Sequence, residues 1–166
     1  MALSIYEVSI PVFVRSFGNL RAILDKAAAQ GAVDGTDPQR LVDARLAPDM
    51  LPLAGQIQRA SDTAKGAGAR LAGVDNPGFA DTEATIAELK ARIDRTVEFL
   101  TSIPPAAFDG SETRTISMRN GALQLDGKTY LLRHALPNFF FHVTTAYDIL
   151  RHNGVALGKA DYLGSF

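Results

Sequence analysis

The sequence predicts an all-α fold, an up-down-type four-helix bundle with a small β-hairpin inserted before the last helix. Four segments repeat apolar residues every three or four positions, as amphipathic helices do. A short stretch of alternating apolar residues surrounds an Asn-Gly pair, which is typical of a hairpin turn. Because the chain has 166 residues, we expect residues 1–166 to form one domain.

The first predicted helix has the clearest periodicity. Its apolar residues follow each other at intervals of three or four and are Tyr6, Ile10, Phe13, Phe17, Leu20, Leu24 and Ala27. Pro11 lies among its early turns, which leaves two alternatives. The helix begins near Ser9 with Pro11 in its first turn, or a longer helix is kinked at Pro11. Residues 31–38 should end the helix and form a loop.

The second and third helices follow between proline- and glycine-rich breaks. The second should begin at about Leu51, and its second half is rich in alanine, which allows a neighbouring helix to approach closely. The third should begin at Asp81 or Thr82, either of which suits a helix cap, with Glu83 in the first turn. Pro104-Pro105 should end it.

The hairpin and the last helix complete the predicted fold. The strands are expected at residues 114–119 and 122–126, joined by Asn120-Gly121. The last helix, at residues 129–152, is apolar around much of its circumference, so it should be the most buried helix. Pro137 should kink or divide it. The tail from Val155 to Phe166 keeps enough apolar residues to dock on the helices.

Composition excludes several classes of function. Lys and Arg number 17 against 18 Asp and Glu, so a charge of −1 gives no reason to expect binding to nucleic acid or anionic lipid. The absence of cysteine excludes disulfides, iron–sulfur clusters and thiolate zinc sites. No stretch approaches the roughly 18 apolar residues of a membrane span, and the N-terminal segment lacks a basic leader. We therefore expect a cytoplasmic protein.

Three polar residues on the last helix are the strongest candidates for a site. His134, Asn138 and His142 follow each other at intervals of four, which places them on one side of a helix. One interpretation is a polar pocket in which His142 acts as a ligand or proton carrier beside Asn138. The alternative is two partly buried histidines that only form hydrogen bonds within the protein.

Other polar and aromatic residues extend these candidates. On the second helix Gln56 precedes the apolar position Ile57, so it flanks the buried seam. Tyr147 lies four residues before Arg151, a spacing that favours a structural contact. The run at residues 139–141 is three phenylalanines, and we expect one ring to lie in a subunit interface. The sequence has no Gly-x-Ser-x-Gly motif and no phosphate-binding glycine loop.

Two segments resemble a known family. These are LPNFFFHVTTAYDILRHNGVALGKADYLG at residues 136–164 and DMLPLAGQIQRASDTAK at residues 49–65. Together with a His-x-x-x-Asn-x-x-x-His helix after a small hairpin, they resemble an uncharacterised bacterial family of unknown function. That family is placed in the DinB/YfiT-like superfamily of helical-bundle proteins. The resemblance spans essentially the whole chain.

The resemblance implies a metal site with altered ligands. DinB-like proteins typically carry one metal-binding histidine on the second helix and a His-x-x-x-His pair on the last. The corresponding positions here are Gln56, Asn138 and His142. One imidazole and two amide oxygens bind zinc poorly compared with three imidazoles. We therefore expect a divalent metal to be weakly bound or absent.

Three functions remain open at this stage, and no catalytic residue is assigned. The first is a small-molecule pocket lined by Gln56, Asn138, His142, His134 and Tyr147. The second is a non-enzymatic interaction protein, a homodimer formed through the phenylalanines and the apolar tail. The third is a metal-dependent enzyme similar to thiol-dependent S-transferases, a comparison that rests on fold alone. It would need a further ligand, Asp49 or Glu7, to reach His142.

Overall fold

The computed structural model describes residues 3–35, 37–118 and 121–165, with the backbone only at residues 32–34. Most of these residues are helical, and a two-stranded sheet precedes the last long helix, as the sequence predicts. The helices are α1 (Ile10–Asp34), α2 (Pro38–Asp43), α3 (Leu53–Ala72), α4 (Ile86–Ser102), α5 (Gly127–Tyr130), α6 (Leu136–His152) and α7 (Lys159–Leu163), and the strands are β1 (Thr115–Met118) and β2 (Leu123–Asp126).

The four long helices share one apolar core. Helix α3 packs on both α4 and α6, and α1 packs on the same two helices. Phe13 and Phe17 of α1 meet the ring of Phe139 in α6 edge-on, with centroids 4.8 and 5.1 Å apart. All three rings are buried. The alanines at residues 60, 64 and 67 are also buried, so the small-residue face of α3 lies inward as predicted.

The start of α1 follows the first of the two alternatives. The helix begins at Ile10, so Pro11 lies in the first turn. Backbone N–H groups in the first turn form no hydrogen bond within the helix, so the lack of this group in proline costs nothing there. Ser9 precedes the helix and donates a hydrogen bond of 2.6 Å from its hydroxyl to the carbonyl of Ile5. The helix continues to Asp34, where Gly35 ends it in the left-handed conformation with φ of 73°.

Two boundaries differ from the prediction. Helix α4 begins after Thr85, which forms a capping box with Glu88, and neither Asp81 nor Thr82 caps it. Part of the expected loop at residues 31–38 is helical, because α1 runs to Asp34, and α2 follows directly. The Asp37 side chain caps α2 by accepting a hydrogen bond from the Gln39 amide.

Asp81 and Glu83, expected at the start of the third helix, instead contact a buried arginine. Arg92 of α4 has no exposed surface, and its guanidinium contacts Asp62 of α3 at 2.9 Å. It also contacts Asp81 at 3.0 Å and Glu83 at 3.1 Å. A buried cation must be paired with charge and hydrogen-bonded, so these carboxylates are held at Arg92 rather than at a helix end. The network ties the segment before α4 to both α3 and α4.

The hairpin has the predicted pairing. Strands β1 and β2 are antiparallel, with Thr115 opposite Asp126 and Met118 opposite Leu123. In the expected turn, Asn120 lies outside the described residues, and Gly121 has a φ of 90°. Directly after β2 the backbone of Gly127 passes so close to Ser111 that there is no room for a side chain.

The last predicted helix is divided before Pro137. Residues 131–135 form one π-helical turn between α5 and α6, and Pro137 follows in the first turn of α6. Gly154, with a φ of 90°, follows the end of α6. The tail docks through α7 on α1, where Asn19 donates a hydrogen bond to the carbonyl of Tyr162. Phe166 lies outside the described residues.

None of the helices within the described parts of the chain is both long enough and apolar enough to cross a membrane.

Two glycine substitutions should have opposite effects on stability. A Cβ atom at residue 127 would lie 1.9 Å from the Ser111 carbonyl oxygen, whereas one at Gly18, in the middle of α1, would meet nothing within 4 Å. We expect G127A to lower the free energy of unfolding by about 2–3 kcal/mol because the backbones must separate. The matched variant G18A should raise it by about 0.5–1 kcal/mol. Urea denaturation measures the free energy of unfolding of both variants. Equal effects of the two substitutions would contradict the close approach of Gly127 to Ser111.

Candidate functional site

Two hydrogen bonds join α3 to α6 along one side of their contact. The His142 Nδ1 atom lies 2.7 Å from Gln56 Oε1. Asn138 Nδ2 donates to Thr63 Oγ1 at 2.8 Å. The earlier residue of α3, Gln56, contacts the later residue of α6, His142, and the later residue Thr63 contacts the earlier residue Asn138. The two helices therefore run antiparallel. We call the set Gln56, Arg59, Thr63, Asn138 and His142 the α3–α6 seam.

The bonds of Gln56 determine the tautomer of His142. Gln56 is buried, and its Nε2 group donates to the Leu51 carbonyl at 3.1 Å. A carbonyl can only accept, so the other end of the amide, Oε1, must face His142 as an acceptor. The hydrogen of the neutral imidazole therefore lies on Nδ1. The Nε2 atom keeps its lone pair, and no described residue forms a hydrogen bond to it.

The surroundings of His142 favour its neutral form. Burial of the half-exposed imidazole lowers its pKa below 6.5, the ordinary value, and the guanidinium of Arg59 lowers the pKa further. Arg59 follows Gln56 by three residues, so both lie on the same side of α3. Arg59 forms ion pairs with Asp81 and, at 3.6 Å, with Asp62. Near neutral pH, His142 therefore presents an uncharged acceptor beside a fixed cation.

Asn138 supplies a second acceptor one turn from His142. Its amide nitrogen is used by Thr63, which leaves the amide oxygen without a hydrogen-bond partner in the part of the chain that the structure describes. Residues four apart on a helix lie on the same side, so this oxygen and the imidazole share a face of α6. The seam therefore offers two acceptors from neutral groups.

The remaining predicted site residues lie elsewhere. His134 is exposed, and its ring stacks on Tyr130 with centroids 5.8 Å apart. Tyr147 packs edge-on against Tyr162 of α7 at 5.9 Å. Five residues of α-helix separate it from His142, a rotation of roughly 140° around the axis. The structure thus brings together Gln56, Asn138 and His142 and does not bring Tyr147 to them.

Neither of the two carboxylates considered as additional metal ligands forms a hydrogen bond or ion pair with His142. Glu7 accepts hydrogen bonds from the amide and hydroxyl of Ser4, and Asp49 is exposed in the segment before α3. Among the described residues, no group of three or more His, Cys, Asp or Glu side chains could hold a metal ion. Gln56 Oε1 is itself bonded to the imidazole. The donor set therefore does not match the three imidazoles that the resemblance implies.

Two residues of the seam were missed in the sequence. Arg59 and Thr63 follow Gln56 at intervals of three and four, which places them on one stripe of α3 beside the buried Ile57. That periodicity could have included them in the candidate site. It could not have predicted which of them faces which residue of α6, because this depends on how the two helices are displaced along their axes.

Comparisons with known proteins agree with this architecture. A crystal structure of a DinB family member protein from Shewanella denitrificans is 42% identical, with a TM-score of 0.93 over 97% of this chain and 92% of that one. The chain thus has the fold of a DinB family member. Residues 5–163 match the model of a family described as a domain of unknown function, DUF1993. The chain belongs to that family, which confirms the resemblance found in the sequence. No curated protein matches it significantly.

Removing the charge of Arg59 should raise the pKa of His142. The guanidinium disfavours a second positive charge, so R59Q should shift the imidazole titration to higher pH. NMR spectra of the histidine ring protons across pH 4 to 9 measure this shift. R40Q removes the same charge from α2 and is the matched control. An unchanged His142 titration in R59Q would contradict the geometry of the seam.

Proposed function

We propose that the α3–α6 seam binds a small molecule that donates a hydrogen bond to neutral His142, and that the seam holds no transition metal tightly. The observation that carries the proposal is the 2.7 Å contact between His142 Nδ1 and Gln56 Oε1. Because this contact uses the only N–H group of the imidazole, Nε2 is left as an acceptor. Held by a buried amide, the ring is already oriented before a ligand arrives.

The free groups of the seam define the chemistry of the ligand. Two acceptors, His142 Nε2 and Asn138 Oδ1, require a ligand with donor hydrogens, such as a hydroxyl, thiol or protonated amine. The lowered pKa keeps the imidazole neutral near pH 7, so it accepts a hydrogen bond without taking up the proton. The seam is therefore suited to bind a donor group.

Apolar side chains beside the seam favour a ligand that also has an apolar part. The Phe141 ring is 55% exposed, and its centroid lies 5.3 Å from that of His142. Leu51, whose carbonyl holds Gln56, is also among the exposed large apolar residues. Covering these side chains would add favourable apolar contact to the polar one. A small aromatic or aliphatic alcohol or thiol meets both requirements.

The same contacts argue against tight binding of a transition metal. A metal ion at this position would have to compete with the His142 N–H group for the oxygen of Gln56. Asn138 offers a neutral oxygen, a weaker ligand for zinc than an imidazole nitrogen. His142 remains the only imidazole in the seam, since His134 stacks on Tyr130.

The proposal includes the arrangement of the helices. We propose that α1, α3, α4 and α6 form the up-down-type four-helix bundle predicted from the sequence. The antiparallel pairing of α3 with α6 supports this arrangement, as does the packing of α1 and α3 on the same two helices. The seam would then lie where two antiparallel helices of the bundle meet.

A matched pair of small aromatic probes tests the ligand chemistry. Phenol carries a hydroxyl donor, and anisole has a methyl ether in its place. We expect phenol at low millimolar concentration to shift the Nε2 nitrogen signal of His142 with a saturating dependence, because its hydroxyl donates to that atom. Anisole should produce less than about a tenth of the shift, as it cannot donate. Equal responses to the two probes, or none to phenol, would contradict the proposal.

Restoring the imidazole ligands should create a tight metal site. We expect the wild-type protein, after treatment with a chelator, to bind Zn²⁺ with a Kd weaker than about 10 µM by calorimetry. The Q56H/N138H variant should bind at least about 100-fold more tightly, and adding H142A should abolish the gain. The proposal fails if purified wild-type protein retains one equivalent of zinc that H142A loses.

A further inference from the structure

A second surface feature lies away from the α3–α6 seam. A groove of about 670 Å³ runs between the N-terminal segment, the turn after α4, and the region where α5 meets the π-helical turn. We call it the N-terminal groove. Its lining includes Leu3, Phe108, Asp109, Glu112, Lys128 and Leu132. Nothing in the proposed function involves these residues.

The groove exposes large apolar side chains beside an apolar floor. Leu3 is 78% exposed and Leu132 is 49% exposed, while Phe108 is buried beneath them. Leu132 belongs to the π-helical turn of residues 131–135. A cluster of exposed apolar groups around a groove marks a surface that another molecule covers, because its burial is favourable at about 25 cal/mol for each Å².

The rim carries charges of both signs. Asp109, Glu112 and Lys128 are exposed, and none of them forms an ion pair with another described residue. The Lys128 amide donates to the Glu112 carbonyl at 3.0 Å, so the two side chains begin at adjacent points of the rim. A small anionic or cationic ligand would use only one of these signs.

Opposite charges on one patch allow a two-fold symmetric contact to be complementary to itself. In such a contact the same surface is used twice, so a cation placed opposite an anion of the other copy forms the same pair in both halves. We propose that a second copy of this chain covers the N-terminal groove and forms a two-fold homodimer. Leu132 then packs on the apolar floor of the other copy, and Lys128 lies opposite the partner's Asp109 and Glu112.

This surface differs from the dimer contact expected from the sequence. Phe139 is buried in the core, Phe140 packs against the core, and Phe141 remains exposed beside the α3–α6 seam. The apolar tail is also used within the chain, since α7 packs on α1. Of the three phenylalanines, Phe141 is the one exposed for the contact expected from the sequence, and the variants below distinguish that contact from the N-terminal groove.

Exchanging the charges tests the proposal directly. The K128E variant has only negative groups on this rim, and the D109K/E112K variant has only positive ones. Each variant alone should dissociate at least about 10-fold more readily than wild type, because like charges meet in both halves of the contact. An equimolar mixture of the two should form a heterodimer, because opposite charges then meet in both halves. Sedimentation velocity with one variant fluorescently labelled measures each species.

An apolar substitution gives an independent test. L132E should produce monomers at concentrations where the wild type is dimeric, whereas F141E, which alters an exposed apolar residue outside the groove, should leave the dimer intact. Circular dichroism and thermal melting establish that each variant is folded. A wild-type protein that is monomeric at about 100 µM would overturn the proposal, as would a dimer that F141E disrupts and L132E does not. Binding of phenol at His142 is scored separately, so the two proposals can fail independently.

Discussion

The hydrogen bond between Gln56 and His142 is the contact on which the proposed binding site depends. It joins α3 to α6, and it sets the tautomer of the imidazole because the other end of the Gln56 amide is held by the Leu51 carbonyl. The resemblance implies that the corresponding side chains of DinB-like proteins share a metal ion, whereas here Gln56 and His142 contact each other directly. Gln56 thus orients the imidazole.

A second polar network begins at Arg59 of the seam and extends to the segment before α4. Arg59 lies close enough to His142 to lower its pKa, and its ion pairs with Asp62 and Asp81 link it to the buried Arg92. The segment before α4 is therefore attached to the helix that carries half of the seam. Asp81 of that segment pairs with the Arg59 guanidinium, which adds to the effect of burial in lowering the pKa of His142. The segment before α4 thus holds a residue of the seam in place.

Much of the fold could be predicted because burial imposes a period on the sequence. The apolar stripes of the long helices, the place of Pro11 and the pairing of the hairpin all follow from local rules. The beginning of α4 could not be predicted by such rules. Asp81 and Glu83 have the composition of a helix start, yet a distant buried cation, Arg92, determines where their carboxylates lie. An ion pair between residues far apart in the sequence cannot be predicted from the local pattern of residues around either one.

The sequence indicates which residues form the candidate site but not how they contact each other. Gln56, Asn138 and His142 follow from spacing and from the family resemblance. Their mutual arrangement, and the parts played by Arg59 and Thr63, depend on the axial displacement of α3 against α6. His134 and Tyr147 show the limit of spacing arguments, because the first is drawn to Tyr130 and the second faces α7.

The protonation of the two ring nitrogens of His142 is the most direct test of the hydrogen bond with Gln56 and of the tautomer that it sets. Long-range proton–nitrogen correlation spectra near pH 7.5 distinguish a protonated from an unprotonated ring nitrogen. We predict that Nδ1 carries the hydrogen and that Nε2 has the chemical shift of an unprotonated acceptor nitrogen. A hydrogen on Nε2, or an imidazolium at that pH, would contradict it, because Gln56 would then not hold the ring as described.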